Sequence, residues 1–234
     1  MIGTDARPPL LLVTDPAFAE GVILEVIDRV ARAVPAGSFA VQLRDKSRDA
    51  AALLPFGLRL RAWTKERRVA LVVNGDPALA RRLGADGVHL PGGMHDVADA
   101  RRVAAAAWVS VAAHDDADVE RARELGADAA LVSPIFTTPG KGEARGEVAL
   151  RHARAIAGGA MAVYALGGVD QSRAGLCRDA GADGVAVIRS LLASADPAAE
   201  ARAIVGAFLD SSRPPELRAV GGPHGRLVGP GRED

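Results

Sequence analysis

The chain has 234 residues, 49% apolar and 25% charged, with 29 Lys plus Arg balanced by 29 Asp plus Glu. A formal net charge of zero excludes the broad basic footprint of a nucleic-acid binder, and this apolar content excludes a wholly disordered chain. Aromatic residues make up only 3%, so the core must be aliphatic. The single cysteine, Cys177, cannot form an internal disulfide, which fits a reducing compartment. No apolar run approaches the ~20 residues of a membrane span, and the first residues carry no apolar signal core. The expectation is a cytoplasmic protein with no membrane and no nucleic-acid partner, its oligomeric state left open.

Short apolar runs recur along the chain at Leu10–Thr14, Phe39–Leu43, Val69–Val73, Gly87–Leu90, Trp108–Ala112, Ala129–Val132, Met161–Leu166 and Gly184–Ile188. Most are continuous, as suits strands buried on both faces of a parallel sheet. Helical spacing fills the intervals, for example at Asp49–Arg67, Pro77–Leu83, Val97–Ala106, Asp116–Leu125, Ala149–Ala157 and Gln171–Ala180. Gly-Ala-Asp recurs at Gly84, Gly126 and Gly181, each time between a helix and a strand. Glycine ends helices because it enters the left-handed conformation without a Cβ clash. Repeated βα units of this number predict an α/β fold, a closed (β/α)8 TIM barrel over residues 8–210. An open doubly wound sheet is the competitor, but no Gly-x-Gly-x-x-Gly follows the first strand. Residues 211–234 are rich in Pro and Gly and read as a disordered tail.

In such a barrel the chemistry sits at the C-terminal ends of the strands. Alternation after the second strand aims Gln42, Arg44 and Lys46 one way and Leu43 and Asp45 the other. Two cations and an amide on one face suit an anion and a polar ring. Gly167-Gly168 after strand seven lets a ligand approach backbone amides, and Ile188, Arg189 and Ser190 follow strand eight. Loops after strands seven and eight are the recurrent phosphate site of this fold. The segment Phe136-Thr137-Thr138-Pro139-Gly140-Lys141 reads as an anion-binding lid, although it lacks P-loop spacing. His89, His95 and His114 read singly as structural histidines, none spaced for a helical zinc site. Cys177 reads as packing.

These segments together resemble the thiamine phosphate synthase/TenI family from about Leu11 to Ala193. The resemblance rests on Leu12-Val13-Thr14-Asp15, Val41 to Lys46, Asn74, Ala85 to Leu90, Pro134 to Lys141, Ala165 to Val169 and Gly184 to Ile188. It implies a role in thiamine biosynthesis, with phosphorylated thiazole or pyrimidine small molecules as partners. The family's synthases join a pyrimidine methyl pyrophosphate to a thiazole phosphate. The match assigns Arg44 and Lys46 to pyrophosphate, Gln42 and Asn74 to the pyrimidine side, and Thr138 and Lys141 to the lid. Gly168 and Ile188 match the backbone positions that hold the thiazole phosphate, and Gly167 and Arg189, from the strand-end reading, stand beside them. The expected catalytic set is Arg44, Lys46, Lys141, His89 and His114, with the histidines as candidate proton shuttles.

The departures are as informative. The synthases' two magnesium-binding aspartates fall at Gly75 and Met94, whose side chains supply no hard oxygen. Asp76 or Asp96 are the candidate substitutes, and Mg2+ is expected only for a synthase. A family serine after strand five is Ala112, and the tautomerase histidine falls at Pro134. Asn74-Gly75 and Leu90-Pro91 resemble the TenI branch, which includes thiazole tautomerases. The sequence reading therefore favours a TenI-like enzyme of the tautomerase type acting on a thiazole phosphate. Its alternatives are the synthase reaction and a non-catalytic phosphate-binding barrel.

Overall fold

The computed structural model describes residues 7–93, 96–106, 108–138, 140 and 142–210. Lys141, Met94, His95 and the predicted tail at 211–234 lie outside the described residues. Among those described, eight strands are β1 Leu10–Val13, β2 Phe39–Leu43, β3 Ala70–Asn74, β4 Gly87–Leu90, β5 Trp108–Ala113, β6 Ala129–Val132, β7 Ala162–Leu166 and β8 Gly184–Val187. Every neighbouring pair is parallel, and β8 pairs back to β1, closing the barrel in sequence order. The (β/α)8 architecture expected from the apolar runs is the one observed.

Helices alternate with the strands: α1 Glu20–Ala33, α2 Ala50–Glu66, α3 Pro77–Leu83, α4 Val97–Ala104, α5 Asp116–Glu124, α6 Gly146–Ala157, α7 Ala174–Asp179, α8 Arg189–Leu192 and α9 Pro197–Leu209. Ile23, Val26, Ile27 and Val30 give α1 its buried stripe at helical spacing. Asp49, Asp76, Asp96, Asp115 and Asp196 each cap a helix by accepting from an amide in its first turn. The fourth and seventh helices are shorter than expected, ending at Ala104 and starting at Ala174, whereas the sixth begins earlier, at Gly146. None of the described helices is long and apolar enough to cross a membrane.

The barrel holds two apolar layers. Alternate strand residues such as Val41, Leu43, Leu71 and Val73 face the helices, whereas Leu11, Val13, Ala40, Ala70, Val72 and Leu131 fill the interior. Trp108 and Tyr164 meet edge to face inside, with ring centroids 6.3 Å apart. Small neighbours make room for them. A Cβ on Gly184 would lie 2.7 Å from the Tyr164 ring, and one on Gly87 would lie 2.9 Å from the Trp108 carbonyl oxygen. The low aromatic content thus coincides with an interior lined by Ala and Gly and plugged by two large rings.

The Gly-Ala-Asp repeat does more than end helices. Asp86, Asp128 and Asp183 stand just before β4, β6 and β8. Each carboxylate accepts from an amide of the preceding strand: Leu71 at 2.9 Å, Val109 at 2.7 Å and Val163 at 2.8 Å. Each also takes an arginine from an earlier helix: Arg61 of α2, Arg101 of α4 and Arg154 of α6. This three-fold device ties helices to the bottom of the barrel and leaves the opposite rim for chemistry.

Candidate active site at the barrel mouth

Strand parity sends Gln42, Asn74, His89, Ser110, Leu166 and Ile188 to the interior side at the C-terminal end of the barrel. Leu43 joins the outer core instead, and Asp45 turns away to Ser47 and Arg48. The alternation expected after β2 is therefore present for those residues. Gln42 is only 2% exposed, and its Nε2 is buried without a hydrogen-bond partner among the described residues. A buried donor left unpaired is costly, so an orphan amide at a barrel mouth is suited to a ligand acceptor.

Arg44 is half-buried and Lys46 exposed, and neither has an ion-pair partner among the described residues. Thr14, after β1, fixes the Arg44 backbone: its Oγ1 donates to the Arg44 carbonyl at 2.9 Å and the Arg44 amide donates to Oγ1 at 2.8 Å. Arg44 also lines a cavity of about 290 Å3 between the β1–α1 and β2–α2 loops. The neighbouring Arg48 is already committed to Asp45 and Glu20, at 2.6 and 2.7 Å. Burial opposes the Asp45 charge, but hydrogen bonds from Ser47 and Arg48 outweigh it and bring its pKa down to about 2. Among the described residues, the uncommitted positive charge at this edge is thus that of Arg44 and Lys46.

Asn74 ends β3 opposite His89 of β4. His89 is 5% exposed, and its Nδ1 lies 2.8 Å from Ser110 Oγ on β5. Burial, with the nearby charges of Arg44 and His114, depresses its pKa to about 3, so the ring is neutral at pH 7. His114 is exposed; its Nδ1 is 3.2 Å from the Ser133 carbonyl, and its ring sits beside Gly92. The two histidines expected as proton shuttles therefore occupy different settings, one largely buried at the mouth of the barrel and one exposed on its rim.

The β6–α6 and β7–α7 loops pack on each other. Ile135 and Phe136 donate their amides to the carbonyls of Leu166 and Gly167, both at 3.0 Å. Gly168 has φ +63, and Arg173 donates to its carbonyl while stacking over Phe136. Thr138 donates its hydroxyl back to the Phe136 carbonyl at 3.0 Å. The amides of Gly167, Gly168, Ile188 and Arg189 find no acceptor among the described residues. Ser190 Oγ is buried there without a partner among the described residues. Unpaired amides from two adjacent loops beside an orphan hydroxyl make a setting suited to a phosphate. Arg189 itself is exposed.

The resemblance implies magnesium, but the residues present do not fit it. Gly75 offers no side chain, and Asp76 and Asp96 each use a carboxylate oxygen to cap a helix, accepting from Leu79 and Asp99 at 2.8 Å. No group of three or more His, Cys, Asp or Glu is placed to hold a metal ion among the described residues.

Sequence reasoning passed over Ser110, which only strand parity and the neighbouring His89 bring to notice. Thr14 enters it only as the end of the first apolar run and within a resembling stretch, since a hydroxyl that clamps another strand's backbone leaves no mark in sequence.

A parallel barrel with amides after β7 and β8 and cations after β2 that have no partner among the described residues defines a class of barrels suited to phosphorylated small molecules. The thiamine monophosphate synthase family model matches residues 10–191, and the chain belongs to that family. The thiamine-phosphate synthase of Chromobacterium violaceum is 38% identical over 180 residues, covering 76% of this chain and 86% of that protein. The thiamine-phosphate synthase of Chloroflexus aurantiacus is 34% identical over 194 residues, covering 82% and 89%. Among solved structures, a thiamine phosphate pyrophosphorylase from Pyrococcus furiosus superposes with a TM-score of 0.76 at 21% identity, covering 92% of this chain and 98% of that one. The relatives' names lean toward the synthase reaction, which the sequence reading had placed second to a TenI-like tautomerase.

Proposed function

We propose that this chain is a transferase of the synthase type, joining a pyrimidine methyl pyrophosphate to a thiazole phosphate. The observation that carries the reading is the pairing of two anion-suited edges across one mouth: Arg44 and Lys46 after β2, and the unpaired amides after β7 and β8. The names of the relatives at 34–38% identity support the same reaction. Gly167, Gly168 and Ile188 hold the thiazole phosphate, with Arg189 at the rim. Gln42 and Asn74 take the pyrimidine, the orphan amide of Gln42 donating to a ring acceptor. Arg44 and Lys46, with Lys141, receive the charge that develops as the carbon–oxygen bond to pyrophosphate breaks. The thiazole nitrogen's lone pair then forms the new carbon–nitrogen bond. Thr138 orders the lid loop through its bond to Phe136.

A second reading, a TenI-like proton transfer on the thiazole phosphate, draws on one observation: each candidate replacement carboxylate has one oxygen committed to a helix cap. Incubation with both synthase substrates in magnesium-containing buffer separates the two. The synthase reading expects thiamine phosphate and pyrophosphate in equal amounts. Absence of thiamine phosphate overturns it, and isomerisation of a thiazole phosphate carboxylate would support the second reading. Ligand-induced stabilisation without turnover of any substrate would point to a non-catalytic barrel.

A further inference from the structure

Ser110 and His89 form a closed pair inside the barrel. Ser110 is fully buried, and His89 Nδ1, 2.8 Å away, is its only side-chain hydrogen-bond partner among the described residues. A neutral imidazole has one nitrogen that donates and one that accepts. If Nδ1 carried the proton, it would donate to Oγ and leave the hydroxyl proton without an acceptor in a sealed site. That arrangement costs the desolvation of a buried donor. If Oγ–H donates to Nδ1, both groups are satisfied, and the ring proton resides on Nε2. His89 Nε2 makes no hydrogen bond with described residues and is not among the sealed atoms lacking a partner, so it keeps contact with the mouth.

We propose that Ser110 is a positioning residue that fixes His89 as the Nε2–H tautomer, so that the mouth presents a hydrogen-bond donor there rather than a base. The pair bridges β4 and β5, with Asn74 of β3 on the other side of His89. A bound molecule must therefore place a lone pair against His89, on a ring nitrogen or an oxygen, and proton abstraction must come from elsewhere. The depressed pKa of His89 is consistent with a ring that stays neutral. This assignment goes beyond the transferase reading and does not depend on it, because it concerns the empty mouth.

The test is two-dimensional 15N–1H correlation of the full chain labelled with 15N-histidine, at neutral pH without ligand. Loss of one ring spin system in His89→Asn assigns the residue. The expected wild-type pattern is a proton-bearing Nε2 and an unprotonated Nδ1. Ser110→Ala, with an unchanged circular dichroism spectrum, is expected to give a mixture of tautomers, and Ser110→Thr to restore the single form. A merely structural serine would move none of these nitrogen shifts in this way. A proton on Nδ1 in the wild type, or an unaltered Nε2–H pattern in Ser110→Ala, overturns the assignment. The wild-type spectrum decides even if a variant fails to fold.

Discussion

Thr14 holds Arg44 by both ends of one peptide segment, accepting from its amide at 2.8 Å and donating to its carbonyl at 2.9 Å. The hydroxyl extends the β1–β2 ladder one step past the last strand residue and fixes where the guanidinium leaves the rim. Thr14→Val keeps the shape and removes both bonds. We expect a loss of ~1–3 kcal/mol in stability from the unpaired backbone groups. We also expect KM for the pyrimidine pyrophosphate to rise about tenfold, the equivalent of ~1.4 kcal/mol. Urea denaturation and steady-state kinetics check the two effects separately.

Gly168 explains a second expectation. Its φ of +63 disfavours any side chain by ~1–2 kcal/mol. A Cβ there would also lie 2.9 Å from Phe136 Cβ and from the Thr137 carbonyl oxygen. Gly168→Ala should therefore displace the β6–α6 loop and weaken binding of thiazole phosphate by an order of magnitude or more. The effect runs through the loop, not through a methyl group standing in the anion's place. Gly126→Ala is the control: its φ is +74, but nothing lies within 4 Å of the added Cβ. Calorimetric titration should find its affinity unchanged.

The carboxylates beneath the barrel carry stability rather than chemistry. Asp86 accepts from Arg61 at 2.7 Å and from the buried Leu71 amide at 2.9 Å. Asp86→Ala should cost ~3–5 kcal/mol, as expected when one partner of a buried pair is removed. Asp128→Ala, at a site about a quarter exposed, should cost ~1–3 kcal/mol, mainly through the Val109 amide. Chemical denaturation measures both, and kcat of the folded Asp128 variant should match the wild type.

Acid sensitivity has an identifiable source in His89. Its pKa falls from an ordinary 6.5 to about 3 on folding, chiefly through burial. Below pH 6.5 the unfolded chain therefore binds a proton that the folded chain refuses. Stability contributed by the neutral ring is present above pH 6.5 and is lost as pH falls toward 3. His89→Gln should flatten the pH dependence of the unfolding free energy across that window. An unchanged slope between pH 6 and 4 would place the acid sensitivity in other groups.

The fold was legible because continuous apolar runs and Gly-Ala-Asp junctions mark strands and helix ends by local rules. Parity then placed Gln42 correctly at the mouth. What was not legible were groups whose meaning depends on a distant partner. Ser110 matters through His89, Thr14 through Arg44, and Asp183 through Arg154 and Val163. The histidines show the same limit: His89 and His114 look alike in sequence, yet one is largely buried and the other exposed. Helix α8, only four residues long, is too short for periodicity to announce, although it follows directly on Ile188 at the end of the barrel.

The most direct test is a crystal structure with thiazole phosphate bound. The account predicts phosphate oxygens accepting from the amides of Gly168 and Ile188, with the thiazole ring turned toward Arg44 and Gln42. Clear density for the ligand elsewhere, with those amides still unoccupied, would contradict it.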